Sequence, residues 1–199
     1  MWITKLEDAG KRRTRVFLDE ESFCLLYPSE MRELGIREDQ EMDEDRFAAM
    51  QKMLLQRAER KALSLLEYKD RTRKELQDRL LRLEYPEHVV EDAVAYVELY
   101  GYINDEEYVR RYMEYKADSK SRRQIMQELR QKGIKSSLLE HIWDEYEYNE
   151  MEILEGQLEK RIRQKGTVTE ENFQKFYNYF ARKGFSSHTI LYLLKKYKQ

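Results

Sequence analysis

Groups that commonly do chemistry are sparse in this chain. His88, His141 and His188 lie about fifty residues apart, which is not the short spacing of a zinc motif. The sequence contains no HExxH, no paired cysteines, no Gly-rich phosphate loop and no GxSxG, the usual marks of metal, nucleotide or acyl chemistry. No catalytic residue, metal or cofactor is therefore expected, and the chain reads as a non-enzyme. Its single cysteine, Cys24, sits in FCLLY, where apolar neighbours point to a buried strand residue rather than a reactive thiol. Carboxylates are plentiful but alternate with lysine and arginine at helical spacing, as on solvated helix faces. The informative charge is positive. RTRK places Arg71, Arg73 and Lys74 at one helix start, and KADSKSRR places Lys116, Lys120, Arg122 and Arg123 at an equivalent one. Cations there oppose the helix dipole, so their recurrence points to an anionic partner. A third equivalent stretch, TEENFQK, carries Glu170 and Glu171 instead, which confines the expected basic surface to the first two.

The elements that must hold these residues are mostly helices. The chain has 199 residues, 38% charged and 41% hydrophobic, with 7 Gly and 2 Pro; so few turn formers cannot serve an all-β fold. Net charge is -2, from 37 basic and 39 acidic residues, so bulk charge does not make it a nucleic-acid coat. No apolar run is long enough to span a membrane, and no secretory signal opens the chain; the expected compartment is the cytosol. Residues 1–50 carry 8 basic and 13 acidic side chains, residues 150–199 carry 10 and 6. Within the first fifty, ITKLE, RTRVFL and SFCLLY read as a small β meander. Pro28 opens a short helix ending near Leu34 and Gly35, and residues 36–46 read as an acidic linker.

From Phe47 onward the period is helical and repeats itself. Segments 72–97, 121–146 and 171–197 superpose at offsets of 49 and 51, a repeat architecture. In each, one helix carries an apolar pair (Leu76 and Leu80, Ile125 and Leu129, Phe176 and Phe180). A turn through LEYPE, KGIKS or KGFSS follows, with Gly133 and Gly184 as helix ends. A second helix then carries Val90 to Val97, Leu139 to Tyr146 or Ile190 to Tyr197, and a further helix precedes each pair. Gly101 stops one unit and Asp105 is placed to cap the next. The expected organisation is an N-terminal segment (1–46) and three-helix repeats over 47–105, 106–149 and 150–199, forming an elongated, curved array with a radius of gyration above the ~16 Å of a compact chain of this length. Tyr96, Tyr100, Tyr108, Tyr112, Tyr146, Tyr197 and Trp143 fall on or beside the apolar stripes and are expected to pack there.

RTRKEL, GYINDEEYVRRYMEYK, SRRQIMQELRQKGI and FARKGF, in this order and spacing, resemble the RecX family over roughly residues 55–199. The N-terminal strands resemble the extra segment of its longer members. Thr72, Asn104 and Ser121 depart from the more usual serine, aspartate and glycine; Ser121 bears on how closely its turn approaches a neighbour. The resemblance implies a non-enzymatic, cytoplasmic and monomeric modulator of the RecA recombinase in recombination, DNA repair and the SOS response. Such a protein binds RecA on single-stranded DNA, lies in the filament's helical groove and inhibits ATPase and strand exchange, with at most weak DNA binding of its own. Arg71, Arg73, Lys74, Arg110, Arg111, Lys116, Lys120, Arg122 and Arg123 would then face acidic groove surfaces or DNA phosphates. The alternative is a multi-repeat, helix-turn-helix-like DNA-binding protein, against which the net charge of -2 counts. A tetratricopeptide scaffold would repeat every 34 residues with two helices, which does not fit.

Overall fold

Apolar-polar alternation near the N-terminus becomes an antiparallel meander in the computed structural model, which describes residues 1–198. Strands β1 (Trp2–Asp8), β2 (Thr14–Leu18) and β3 (Glu21–Leu26) are followed by helix α1 (Pro28–Glu33) and a short strand β4 (Gln40–Glu41), and the sheet order is β3-β2-β1-β4. Asp19 and Glu20 join β2 to β3 with φ of 47° and 71°, the mirror-image two-residue turn that matches strand twist. Bonds to β1 hold it without glycine: Trp2 N donates to Asp19 Oδ1 at 2.7 Å and Glu20 N to Thr4 Oγ1 at 3.0 Å. Helix α1 starts at its proline, and Gly35 beyond it takes φ +62°. The stretch read as an acidic linker has structure of its own. β4 pairs with β1 there, and Asp43 caps α2 (Glu44–Tyr68) by accepting from Arg46 N at 2.8 Å.

The described chain is mainly α, with helices continuing as α3 (Arg73–Leu81), α4 (Glu87–Leu99), α5 (Asp105–Lys116), α6 (Arg122–Gln131), α7 (Ser136–Asp144), α8 (Glu150–Lys165), α9 (Phe173–Arg182) and α10 (Ser187–Tyr197). It divides into two units, Met1–Asn104 and Asp105–Gln199. In the first unit Met50, Leu54, Ala58 and Ala62 follow one another at i, i+4 along α2, all fully buried. Two alanines in that stripe let α4 lie close, through Val90, Ala93, Val94 and Val97. Ile3, Val16, Cys24 and Leu26 of the sheet belong to the same core. Each fully buried leucine or valine there contributes about 1.5–3 kcal/mol, so the sheet and the first three-helix repeat stabilise each other. Burial pushes the Cys24 thiol up to about 12, as suits an inert core residue.

The second unit holds two three-helix repeats, each around its own core: Val109, Met113, Ile125, Leu129, Leu139 and Ile142 in one, Leu154, Leu158, Phe176, Phe180, Ile190 and Leu193 in the other. The apolar pairs that define the repeat are buried in all three cases. Gly133 and Gly184 end α6 and α9 with φ of +85° and +82°, a conformation glycine adopts without steric cost. In the first repeat the same place is taken by Glu84, at φ +62°. Asp105 is the first residue of α5 rather than its cap, with Glu106 and Glu107 beside it in the first turn. Trp143 is core, as expected. Tyr100 is not: it is 62% exposed, because it follows the last turn of α4 and only leans on Tyr96, ring centroids 4.7 Å apart.

Candidate basic interface

The basic clusters sit where the repeat places them, on the first turns of α3 and α6. Thr72 caps α3, its hydroxyl accepting from Glu75 N at 3.1 Å while Glu75 Oε2 accepts from Thr72 N at 3.2 Å, a reciprocal capping box. Ser121 caps α6 by accepting from Gln124 N at 3.2 Å. Both cap residues are fully buried, so the backbone that carries the neighbouring cations is held in place. In the first unit Arg73 Nε donates to Glu98 at 3.1 Å, Lys74 pairs with Asp78 at 2.8 Å, and half-buried Arg71 precedes the cap.

The other six predicted residues lie in the second unit, and the structure sorts them by partner. Arg110 bridges Glu106 at 2.9 Å and Glu145 at 2.8 Å; its hydrogen bond holds the Glu145 carboxyl below the ordinary value. Arg111 lies 3.8 Å from Glu107, and Lys116 rests 4.2 Å from the Tyr115 ring centroid. Lys120 is an internal bolt. Its Nζ reaches both oxygens of Glu128 at 2.6 and 2.5 Å, with the Tyr112 hydroxyl donating to the same carboxylate. Burial raises the Glu128 carboxyl, but the bonds from Lys120 and Tyr112 outweigh it and hold the group below its usual value. Arg122 lies 5.3 Å from the Trp143 ring centroid, and Arg123 is exposed at the next position. Among the described residues neither of these two forms an ion pair.

A further set of cations comes from the third repeat. The Ser121 hydroxyl donates to the Lys183 carbonyl at 2.6 Å, and a Cβ on Gly184 would lie 3.0 Å from Ser121 Oγ and 3.2 Å from Arg123 Cβ. The turn ending α9 is therefore seated on the start of α6, and the serine at position 121 fastens that approach. Arg123, Glu128 and three glutamines of α6, with Arg182 and Lys183 at the end of α9, line a groove of about 460 Å3, in which the Glu128 carboxylate is already bound by Lys120. A second hollow beside Arg123 adds Arg130 together with Glu140 and Glu150, and Arg130 lies 4.0 Å from Glu140. Residue reasoning confined to helix starts missed Arg130, Arg182 and Lys183. The signal for two of them was present in FARKGF, at the end of a helix rather than its start. Among the described residues no three His, Cys, Asp or Glu side chains come together to hold a metal, and no helix is long and apolar enough to cross a membrane.

Comparison with known proteins bears on what this scaffold is. Residues 58–96 match the family model for the first three-helix domain of RecX, and residues 104–141 match that for its second. The regulatory protein RecX of Clostridium beijerinckii is 25% identical over 98% of this chain and 94% of its own length. The chain resembles the RecX family along nearly its whole length. The regulatory protein RecX of Caldanaerobacter subterraneus is 28% identical, over 94% of each chain. A crystal structure of a regulatory protein RecX superposes with a TM-score of 0.63 and 24% identity, covering 98% of both chains. RecX from Lactobacillus salivarius gives 0.61 over 72% of this chain and 96% of that one. At such identity these structures establish the shared fold. The matched RecX domains include the first turn of α3, with Arg73 and Lys74, and that of α6, with Arg122 and Arg123.

Proposed function

We propose that this RecX-like chain regulates the RecA recombinase. It binds the RecA filament on single-stranded DNA within the helical groove and lowers ATP hydrolysis and strand exchange, acting in the cytoplasm during recombination and repair. The family resemblance supports the reading, together with the naming of the relatives as regulatory proteins. The observation that carries it is the pair Arg122 and Arg123, exposed and without a carboxylate partner among the described residues, with Arg123 facing Arg182 and Lys183 across the α6–α9 groove.

Seven of the nine predicted residues divide by role. Arg122 and Arg123, joined by Arg182, meet the partner's anionic groups, either acidic side chains or phosphates. Lys120 positions the approach to α6 through Glu128. Arg73, Lys74, Arg110 and Arg111 pair with carboxylates of their own unit, so partner binding at those places exchanges one ion pair for another at small gain. Several such weak contacts on one folded scaffold reinforce each other through effective concentration. The chain forms no covalent bond in this scheme; it acts by occupancy.

The test is DNA-dependent ATP hydrolysis by RecA, titrated with this protein, beside a direct DNA-binding control without RecA. Wild type inhibits, and Arg122→Glu/Arg123→Glu requires at least about tenfold more protein for half-inhibition, an effect that shrinks as salt rises. Unchanged inhibition by the folded double variant would remove the proposed surface. Tight, sequence-selective duplex binding with no effect on ATPase would favour the DNA-binding alternative.

A further inference from the structure

A second cation cluster lies in the first unit, away from any helix start. Arg57, Arg60, Lys61 and Ser64 recur at i, i+3, i+4 and i+7 along α2, which places them on one stripe, separate from the buried stripe of Met50, Leu54, Ala58 and Ala62. Opposite that stripe are the β1–β2 turn, which contributes Arg13, and the segments carrying Tyr27 and Tyr85. Together they enclose a hollow of about 440 Å3 floored by Leu25 and Leu83, within the ~300–1,000 Å3 of small-molecule sites.

Its charge is one-sided. Four cations and no carboxylate line it, in a unit with 18 basic and 23 acidic residues. Only Arg57 is compensated, with Nη1 on Glu30 at 2.6 Å and Nη2 on the Leu25 carbonyl at 2.6 Å. Arg13, Arg60 and Lys61 have no ion pair among the described residues. Lys11 and Arg12, both exposed, extend the positive charge along the turn. Like charges gathered in a hollow repel one another and add nothing to the fold, whereas an anion entering between them is attracted by all.

Shape narrows the anion. Arg57 is fixed between two rings, its guanidinium carbon 5.3 Å from the Tyr27 centroid and 5.2 Å from that of Tyr85, and Tyr27 remains 42% exposed. A guanidinium held against a tyrosine that stays partly exposed is a stacking platform for a planar ring, and the cations around it suit a phosphodiester. A flexible acidic peptide would use the charges but leave the ring face and the leucine floor unfilled. We infer that this hollow between the N-terminal sheet and α2 is a binding site for a nucleotide of single-stranded nucleic acid, its base on Tyr27 and its backbone phosphates against Arg13, Arg60 and Lys61. Bases stacked inside a duplex cannot enter, so the site selects single strands.

The test uses the full chain without RecA and follows the fluorescence anisotropy of a labelled oligothymidylate between about 50 and 200 mM salt. Wild type binds the single strand more tightly than a duplex of equal length. Arg60→Glu/Lys61→Glu weakens binding by well over tenfold and lowers the slope of log affinity against log salt by about 1.4, at ~0.7 for each phosphate no longer neutralised. Tyr27→Leu keeps the charge, weakens binding about tenfold and leaves the salt slope unchanged; this variant keeps the test open if the charge reversal disturbs folding, which circular dichroism reports. The site is overturned if wild type does not bind the strand, or if both folded variants bind within about twofold of wild type. Displacement of the strand by polyglutamate at equal charge would instead make the hollow a peptide site, and displacement by an equal concentration of thymidine monophosphate would make it one for free nucleotides.

Discussion

Replacing Ser121 separates two functions of one hydroxyl. It caps α6 by accepting from Gln124 N at 3.2 Å, and it joins two repeats by donating to the Lys183 carbonyl at 2.6 Å. Alanine loses both. The cap contributes about 1 kcal/mol, and a buried carbonyl left without its donor costs about 1–2 kcal/mol, so Ser121→Ala should lower the stability of the second unit by about 2–3 kcal/mol. Glycine at an N-cap sacrifices only a few tenths of a kcal/mol, so Ser121→Gly should lose little beyond the inter-repeat bond, leaving it more stable than Ser121→Ala by about 0.5–1 kcal/mol. The two positions are also coupled. Gly184→Ala puts a Cβ 3.0 Å from Ser121 Oγ, so the alanine should cost less in a Ser121→Gly background, by an amount in the 0.5–3 kcal/mol range of touching residues. The assay is urea unfolding of a Trp2→Phe host followed by Trp143 fluorescence, since Trp143 lies in the core between α6 and α7, with hydrogen exchange read at the Phe185 amide. Equal stabilities for Ser121→Ala and Ser121→Gly, or strict additivity with Gly184→Ala, would refute the shared role.

Glu128→Gln removes the charge that Lys120 and Tyr112 address, and should cost about 1–2 kcal/mol at neutral pH, as for a partly exposed charge-assisted bond. Because the Glu128 carboxyl is held below the ordinary 4.5, the wild-type advantage is complete above that value and disappears as pH falls through the lowered one; urea midpoints of both proteins across the acid range check this. Glu84→Gly relieves about 1 kcal/mol of left-handed backbone cost but gives up the ion pair to Arg15 at 2.5 Å. The glycine variant should therefore be the more stable at high salt, where that exposed pair is screened, and its advantage should narrow at low salt; an advantage independent of salt would show that the pair contributes nothing.

Much of the architecture was legible because the repeat writes it three times. Leu76, Ile125 and Phe176 answer one another, Gly133 and Gly184 mark helix ends, and the meander shows as β-rich runs joined by polar residues. The two-residue strand β4 was hidden, since pairing with an edge needs no periodicity and its surroundings are acidic. Tyr100 was misplaced because helical spacing was extended one step beyond the end of α4. The candidate interface was half legible. Spacing located Arg122 and Arg123, but ion pairing with Glu106, Glu128 or Glu145 depends on partners 4 to 35 residues away and removes Arg110 and Lys120 from the free charge. Comparing equivalent positions also hid Arg182 and Lys183, because the groove joins the start of one repeat's helix to the end of another's.

The common core of the N-terminal sheet and the first repeat affects how this protein is made. Ile3, Val16 and Leu26 are synthesised before the side chains that cover them, which run from Met50 to Val97. Until those helices arrive the meander has an apolar face with no cover, and β4 is not yet present to close the outer edge of β1, which is a template for pairing with other chains. The two-residue turn between β2 and β3 lets those strands pair early, but α2 and α4 bury the face they share. The first unit therefore completes in one late step, and the interval before it is when the nascent chain most needs protection.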